Sequence, residues 1–282
     1  MSRLLRACPL IASLILLGLI PATSRADENT EHRRQGSLTL SWGYNRASYT
    51  TSNIHFTGPD YDFTLHDIGA VDRPTPFSLG IYISPTRFTL PQYVGRIAYY
   101  FSERTSVSLG MTHLKYVAIR DQGTNISGRI GAEASETYAG DYDNDPIALE
   151  KSLLLFEHTN GLNYVSLELE TLLPLWQKGD HSAGLYATLG GGAGPVVPVT
   201  DVTLFGDRRI NQTHLAGYGF SSHLGLKTEF LNRFFVHGFW TAGFINLPSI
   251  LTRSGGGEDR ASQHFFFLEG ALTGGVTVFR FH

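Results

Sequence analysis

The sequence has one cysteine, Cys8, and it stands at the head of an apolar run, residues 8–20 (CPLIASLILLGLI), that is too short to cross a bilayer as a helix. Behind the short basic start MSRLLRA, that run reads as the core of a secretory signal. Small residues at Ala22, Ser24 and Ala26 place cleavage after Ser24 or Ala26. The expectation is a signal peptide over residues 1–26, Sec-type export, and a mature domain over residues 27–282. A lipoprotein cysteine would follow the apolar run instead of opening it. The mature chain is then free of thiols, which excludes disulfides, thiolate metal centres and cysteine nucleophiles.

Two further absences narrow the classes. Beyond the leader, no uninterrupted apolar stretch approaches the roughly 20 residues of a transmembrane helix, so any membrane crossing must use strands. The formal net charge is -3, which gives no basic footprint for nucleic acid.

What the chain does have is glycine (31), phenylalanine (18) and tyrosine (13), a composition that suits a barrel with aromatic girdles. Residues 36–45 (GSLTLSWGYN) set the pattern. Leu38, Leu40, Trp42 and Tyr44 alternate with Ser37, Thr39, Ser41, Gly43 and Asn45, which makes a strand with one apolar and one small polar face. The same period recurs over residues 93–101, 106–117, 161–171, 182–192, 214–228, 234–246 and 261–281. Short joints (102–105, 176–181, 229–233) alternate strictly with long ones (46–92, 118–160, 193–213, 247–260). Periplasmic turns and external loops of a membrane barrel alternate in that way.

The fold expected is therefore all-β: an antiparallel up-and-down transmembrane β-barrel of eight strands, with long external loops and short periplasmic turns. A ten-strand alternative would take a hairpin from residues 46–92 into the wall.

On this register Arg96, Glu168, Glu170, His223, Lys227, His237 and Glu269 point inward. A Lys or Arg facing lipid near the midplane would cost about 2–4 kcal/mol, which favours that placement. An eight-stranded barrel is just wide enough for side chains to fill, so the charges are expected to form a hydrogen-bonded plug. Arg96 and Lys227 are the natural counter-charges for Glu168 and Glu170.

The loops carry other candidates. His55, Asp60 and Asp62, with His66, Asp67 and Asp72 behind them, are oxygen and imidazole ligands without the spacing of a known metal site. The run Asp141-Tyr142-Asp143-Asn144-Asp145 lacks the glycine and glutamate of a calcium loop, because Pro146 and Ser152 stand at the sixth and twelfth positions. It reads as an acidic loop tip. At the external rim of the fourth strand, residues 156–164 (FEHTNGLNY) are similar in part to the His-x-Ser-Asn motif of outer-membrane phospholipases and lipid A deacylases. Here the hydroxyl is adjacent to the histidine, so His158 and Thr159 point to opposite faces of a strand. A hydrolase using His158 with Thr159 or Ser152 would need a bulge there.

The runs Trp42-Gly43-Tyr44-Asn45-Arg46, Asn53-Ile54-His55-Phe56, Asp60-Tyr61-Asp62-Phe63-Thr64-Leu65, Asp72-Arg73-Pro74 and residues 157–164 together resemble a family of uncharacterised bacterial outer-membrane β-barrel proteins. The architecture is similar to the small barrels typified by outer membrane protein A, although Phe281 is here penultimate. The resemblance implies fold and location and no assigned activity.

The functional expectation is a structural or surface-binding barrel with a plugged, charged lumen, exposing Asp60, Asp62 and His158 on the loop side. The alternatives are a lipid-modifying hydrolase using His158, or a narrow channel. Expected partners are outer-membrane lipid and, during insertion, the barrel-assembly machinery. The chain is expected to act as a monomer without a cofactor.

Overall fold

The computed structural model describes residues 34–280, apart from 85, 88, 180–181, 211–212 and 253–256. The signal peptide and Phe281 lie outside the described residues. In chain order the elements are β1 Ser37–Tyr49, β2 Ser52–Gly58, β3 Tyr61–Ile68, β4 Ala70–Asp72, the one-turn helix α1 Leu79–Tyr82, β5 Tyr93–Tyr100, β6 Thr105–Ala118, β7 Gly123–Ile130 and β8 Gly140–Ala148. There follow β9 Leu154–Gln177, β10 Ala183–Pro198, β11 Asp201–Leu204, β12 Asp207–Ile210, β13 Gly217–Phe230, β14 Phe234–Leu251 and β15 Arg260–Arg280. Among the described residues no helix is long and apolar enough to cross a membrane.

Eight of these strands form a ring in the order β1-β5-β6-β9-β10-β13-β14-β15, and β15 returns to pair with β1. Every pairing around the ring is antiparallel. Closure leaves no unpaired edge in the wall, which is how an all-β chain avoids edge-to-edge association. Alternation then assigns the faces. Leu109, Leu167, Leu169, Leu173, Leu189, Leu224, Leu226, Trp240 and Leu272 are exposed on the outside. Ser108, Ser166, Thr188, Thr241 and Thr273, on neighbouring positions, are buried inside.

The hairpin β2–β3 pairs within itself, Phe56 opposite Phe63, but it does not enter the wall. It attaches to the outer end of β15, where Ile54 faces Gln263 and Thr57 faces Arg260. The ring therefore has eight strands, because the β1–β15 pairing already occupies the place where a hairpin would insert.

The connections expected to be loops are a second layer of sheet. From β15 it runs through β2 and β3 to β7 and β8, while β11 and β12 extend β9, and β4 pairs with β6. Residues 141–145 are part of β8 rather than a loop tip. They form an outer edge of this sheet with Asp141, Asp143 and Asp145 exposed, and charged side chains on an edge strand discourage further pairing. Beneath the layer lies one apolar core that includes Ile54, Phe56, Phe63, Leu65, Ile126, Phe156, Val202 and Leu204.

The glycines of β10 and β6 are explained by crowding inside the barrel. A Cβ on Gly192 would meet Glu168 Cγ and Leu167 O at 2.6 Å, and one on Gly110 would lie 2.7 Å from Glu168 Oε1. Large charged side chains fit a narrow lumen here only because the facing residues have none. Gly192→Ala is expected to destabilise the barrel by about 1–3 kcal/mol through overpacking, read as a lower urea midpoint in lipid vesicles. An unchanged midpoint would show that the lumen has slack.

Candidate functional site: the charged lumen

The inner half of the lumen is polar. Arg96 on β5 reaches across β6 to Glu168 on β9, Nε to Oε2 at 2.6 Å, and Ser166 donates to the other carboxylate oxygen at 2.6 Å. The guanidinium also lies 4.4 Å from the centroid of the Phe239 ring on β14, a cation–π contact strengthened by burial. Glu170 turns the other way along the wall, toward His223 Nε2 at 3.1 Å and His237 Nε2 at 3.9 Å. His237 is held in turn by Thr188 Oγ1 at 2.9 Å.

Lys227, expected to serve Glu170, instead donates to Tyr100 OH at 2.7 Å and stands 4.0 Å from the Phe235 ring centroid. Its nearest carboxylate is Glu229 at 3.8 Å. The register explains the exchange: Lys227 faces His237 across β14 and Tyr186 across β10, nearer the inner mouth than Glu170. Glu269 accepts from Asn45 Nδ2 at 2.6 Å. All seven inward charges thus sit on one polar column of the interior.

A second group was not visible in the sequence. Arg34 sits at the inner mouth, pairing with Glu229 at 2.7 Å, giving its backbone N–H to Glu103 at 3.0 Å, and lying 4.2 Å from the Tyr186 ring centroid. Arg34 and Glu103 belong to a polar lead-in and a turn, where charge is the default composition and carries no periodic signal, and Glu229 stands at the inner end of β13.

The outer half of the lumen is mainly apolar and continuous with the core of the external layer, with Ser52, His158 and Gln263 buried in it. Leu114, Tyr116, Leu162, Tyr164, Phe265 and Phe267, all on wall strands, belong to the same buried cluster as Phe56 and Phe63 of the hairpin. His158 lies within it, fully buried rather than exposed at the rim. Its Nδ1 is 2.8 Å from Thr200 Oγ1, and the rings of Phe156 and Tyr116 stand at 5.0 and 5.7 Å. The outward residues at this level are polar: Glu157 pairs with Arg73 at 2.8 Å and accepts from Thr159 at 2.9 Å. His158 is therefore above the apolar belt, outside the membrane-spanning part of β9. Burial holds its pKa down to about 3, so the ring is neutral at ordinary pH. Burial likewise pushes the neighbouring Tyr116 hydroxyl up to about 12, although Ser52 and Gln263 hydrogen-bond to it.

The residues of the hydrolase alternative do not converge. Thr159 bonds Glu157, and Ser152 bonds Tyr138 OH at 2.7 Å on the exposed side of the layer. His158 meets neither. The loop candidates are likewise engaged in holding the layer together: His55 Nε2 pairs with Asp62 at 2.7 Å across the hairpin, and Asp60 accepts the backbone N–H groups of Glu133 and Ala134 at 2.9 and 3.1 Å. Among the described residues no group of three or more His, Cys, Asp or Glu is placed to hold a metal ion.

A closed antiparallel ring with an apolar outer belt and a polar interior is a transmembrane β-barrel. No family model matches the sequence, and no curated protein does. Among solved structures the chain is similar to the outer membrane protein OprG from Pseudomonas aeruginosa, at 12% identity and TM-score 0.39, over 88% of this chain and 99% of that one. It is similar to the outer membrane protein AlkL at 11% and 0.37, over 94% and 98%. Ail, the attachment invasion locus protein of Yersinia pestis, stands at 11% and 0.29, over 85% and 99%. At such identities and scores the activities of those proteins do not transfer to this chain.

Proposed function

We propose that this protein is a plugged barrel of the bacterial outer membrane, reached by Sec-type export and insertion through the barrel-assembly machinery. In this reading it acts as a monomer and presents a folded external layer at the cell surface as a structural or binding element. The observation that carries the reading is the apolar core shared by the wall and the external layer. A pore needs a continuous polar path, and here the polar column of Arg96, Glu168, Glu170 and Glu269 ends beneath Tyr164, Phe265 and Phe267. An ion leaving the column outward would have to enter that core, whose few polar groups already bond one another, Tyr116 with Ser52 and Gln263 and His158 with Thr200, at a cost of several kcal/mol.

In a planar lipid bilayer the purified protein is expected to give no conductance steps under applied voltage. Stable steps of defined size would overturn the plug and make the chain a channel.

A further inference from the structure

The connection between β4 and β5 leaves the external layer. The described residues of this connection around Tyr82, Ile83 and Ser84 lie along the outside of the barrel, beside Trp42 and Tyr44 of β1, Val236 of β14 and Leu272 of β15. The Tyr82 ring packs edge-on to Tyr44 with centroids 4.7 Å apart, and Tyr44 OH donates to the Tyr82 carbonyl. Phe77, Leu79, Ile83 and Leu90 are each more than half exposed, although the Phe77 ring lies 5.2 Å from that of Tyr82 and Ile83 faces the wall strands in part. A water-facing loop does not present four large apolar side chains so close together without a partner; a segment lying in the outer leaflet does.

Its backbone is suited to that setting. Ile81, Ile83, Arg87 and Leu90 donate their N–H groups to carbonyls within the strap at 2.9–3.2 Å, and the remaining irregular backbone requires the polar headgroup level of the leaflet, since the hydrocarbon does not accept it.

Between strap and wall runs a cleft of about 460 Å³, lined by Trp42, Tyr82, Ile83, Val236, Leu272 and Gly274 among others. Above it stand two cations. Arg46 donates to Tyr82 OH at 3.0 Å, and Lys115 donates to Thr75 Oγ1 at 3.1 Å and Leu90 O at 3.0 Å. Tyr82 OH in turn donates to the Thr75 carbonyl at 2.8 Å, so the two cations bracket one short chain of hydrogen bonds. Two acids are near. Glu157 is taken by Arg73, whereas Asp72 accepts the backbone N–H of Ala47 at 3.2 Å and attracts both Arg46 and Lys115 without pairing directly with either. Among the described residues, no carboxylate lies within ion-pair distance of Arg46 or Lys115.

We propose that this place is a binding site for one phosphorylated anionic lipid of the outer leaflet, with its phosphate at Arg46 and Lys115 and an acyl chain in the cleft. Charge complementarity at the rim and an apolar slot directly beneath it match the two ends of such a molecule. A soluble phosphate would satisfy only the rim. The proposal rests on the membrane placement of the barrel argued above.

The test is native mass spectrometry of the detergent-extracted barrel titrated with phosphatidylglycerol or with phosphatidylcholine of the same acyl chains. Insertion into vesicles is checked beforehand by the migration of unboiled protein on a gel. One phosphatidylglycerol is expected to be retained in preference to phosphatidylcholine. Replacing both cations, Arg46→Gln with Lys115→Gln, is expected to weaken retention about 30-fold, the weight of two cations facing a lipid phosphate. Gly274→Leu keeps the rim intact, and a Cβ there meets nothing within 4 Å. It should fill the slot and weaken retention about tenfold, comparable to displacing two methylenes. Arg129→Gln, an exposed cation of β7, is the control and should change nothing.

Equal retention of both lipids by the wild type, or unchanged retention in both site variants, would overturn the site. Failure of the wild type to insert into vesicles would instead overturn the membrane placement, and the site with it.

Discussion

Replacing Arg96 by Leu is expected to destabilise the folded barrel by about 3–5 kcal/mol, the range seen when one partner of a buried ion pair is removed. Glu168, 3% exposed, would keep only Ser166 as a partner, and the Phe239 ring would lose the guanidinium over its face. The damage comes from the carboxylate stranded in the lumen more than from the broken salt bridge itself. The double variant Arg96→Met with Glu168→Leu is therefore expected to recover most of the loss, because an apolar pair of similar volume has no charge to desolvate. Urea unfolding in lipid vesicles, followed by tryptophan fluorescence, reads both. A loss below about 1 kcal/mol for Arg96→Leu would mean that water reaches Glu168 and that the inner lumen is wet.

The wall of this protein could be read from its sequence because a transmembrane strand repeats a single rule. Its outer face meets lipid and its inner face meets a lumen, so Leu167 and Leu169 alternate with Ser166 and Glu168 with no help from distant residues. Periodicity fails one level up. Ile54, Phe56, Phe63 and Leu65 alternate in the same way as wall residues, and nothing local says that they cover the barrel end instead of joining the ring. The pairing of Thr57 with Arg260 decides that, and it joins positions about two hundred residues apart.

The site divides along the same line. That Arg96, Glu168, Glu170 and Lys227 face inward follows from parity. Which acid each cation meets depends on the register of strands that are not neighbours in sequence, and so Lys227 is found with Tyr100 and Glu229. His158 shows the limit most plainly. Its segment has the polar composition of a rim, while its burial is made by Tyr116, Phe156 and Thr200, which come from three separate strands or connections.

Acid is expected to loosen the external layer through His158, and the direction follows from its burial. An imidazole held at about 3 in the folded protein, against about 6.5 when unfolded, is neutral in the fold and takes up a proton more readily once the layer opens. The stability it permits is fully present above pH 6.5 and is lost as pH falls toward 3. The linkage slope of about 1.4 kcal/mol per pH unit gives a loss of about 2 kcal/mol by pH 5 and about 5 kcal/mol by pH 3. His158→Gln keeps a polar partner for Thr200 and removes the titration.

Other groups titrate over the same range, so the quantity to compare is the difference in pH dependence between the two proteins. Amide hydrogen exchange of β2, β3 and β11, taken at pH 7 and pH 5, is expected to show protection falling more steeply in the wild type than in His158→Gln. Parallel curves would mean that the imidazole already exchanges protons with water in the folded state. The apolar seal over the lumen would then be leaky at the point where the plugged-barrel reading needs it closed.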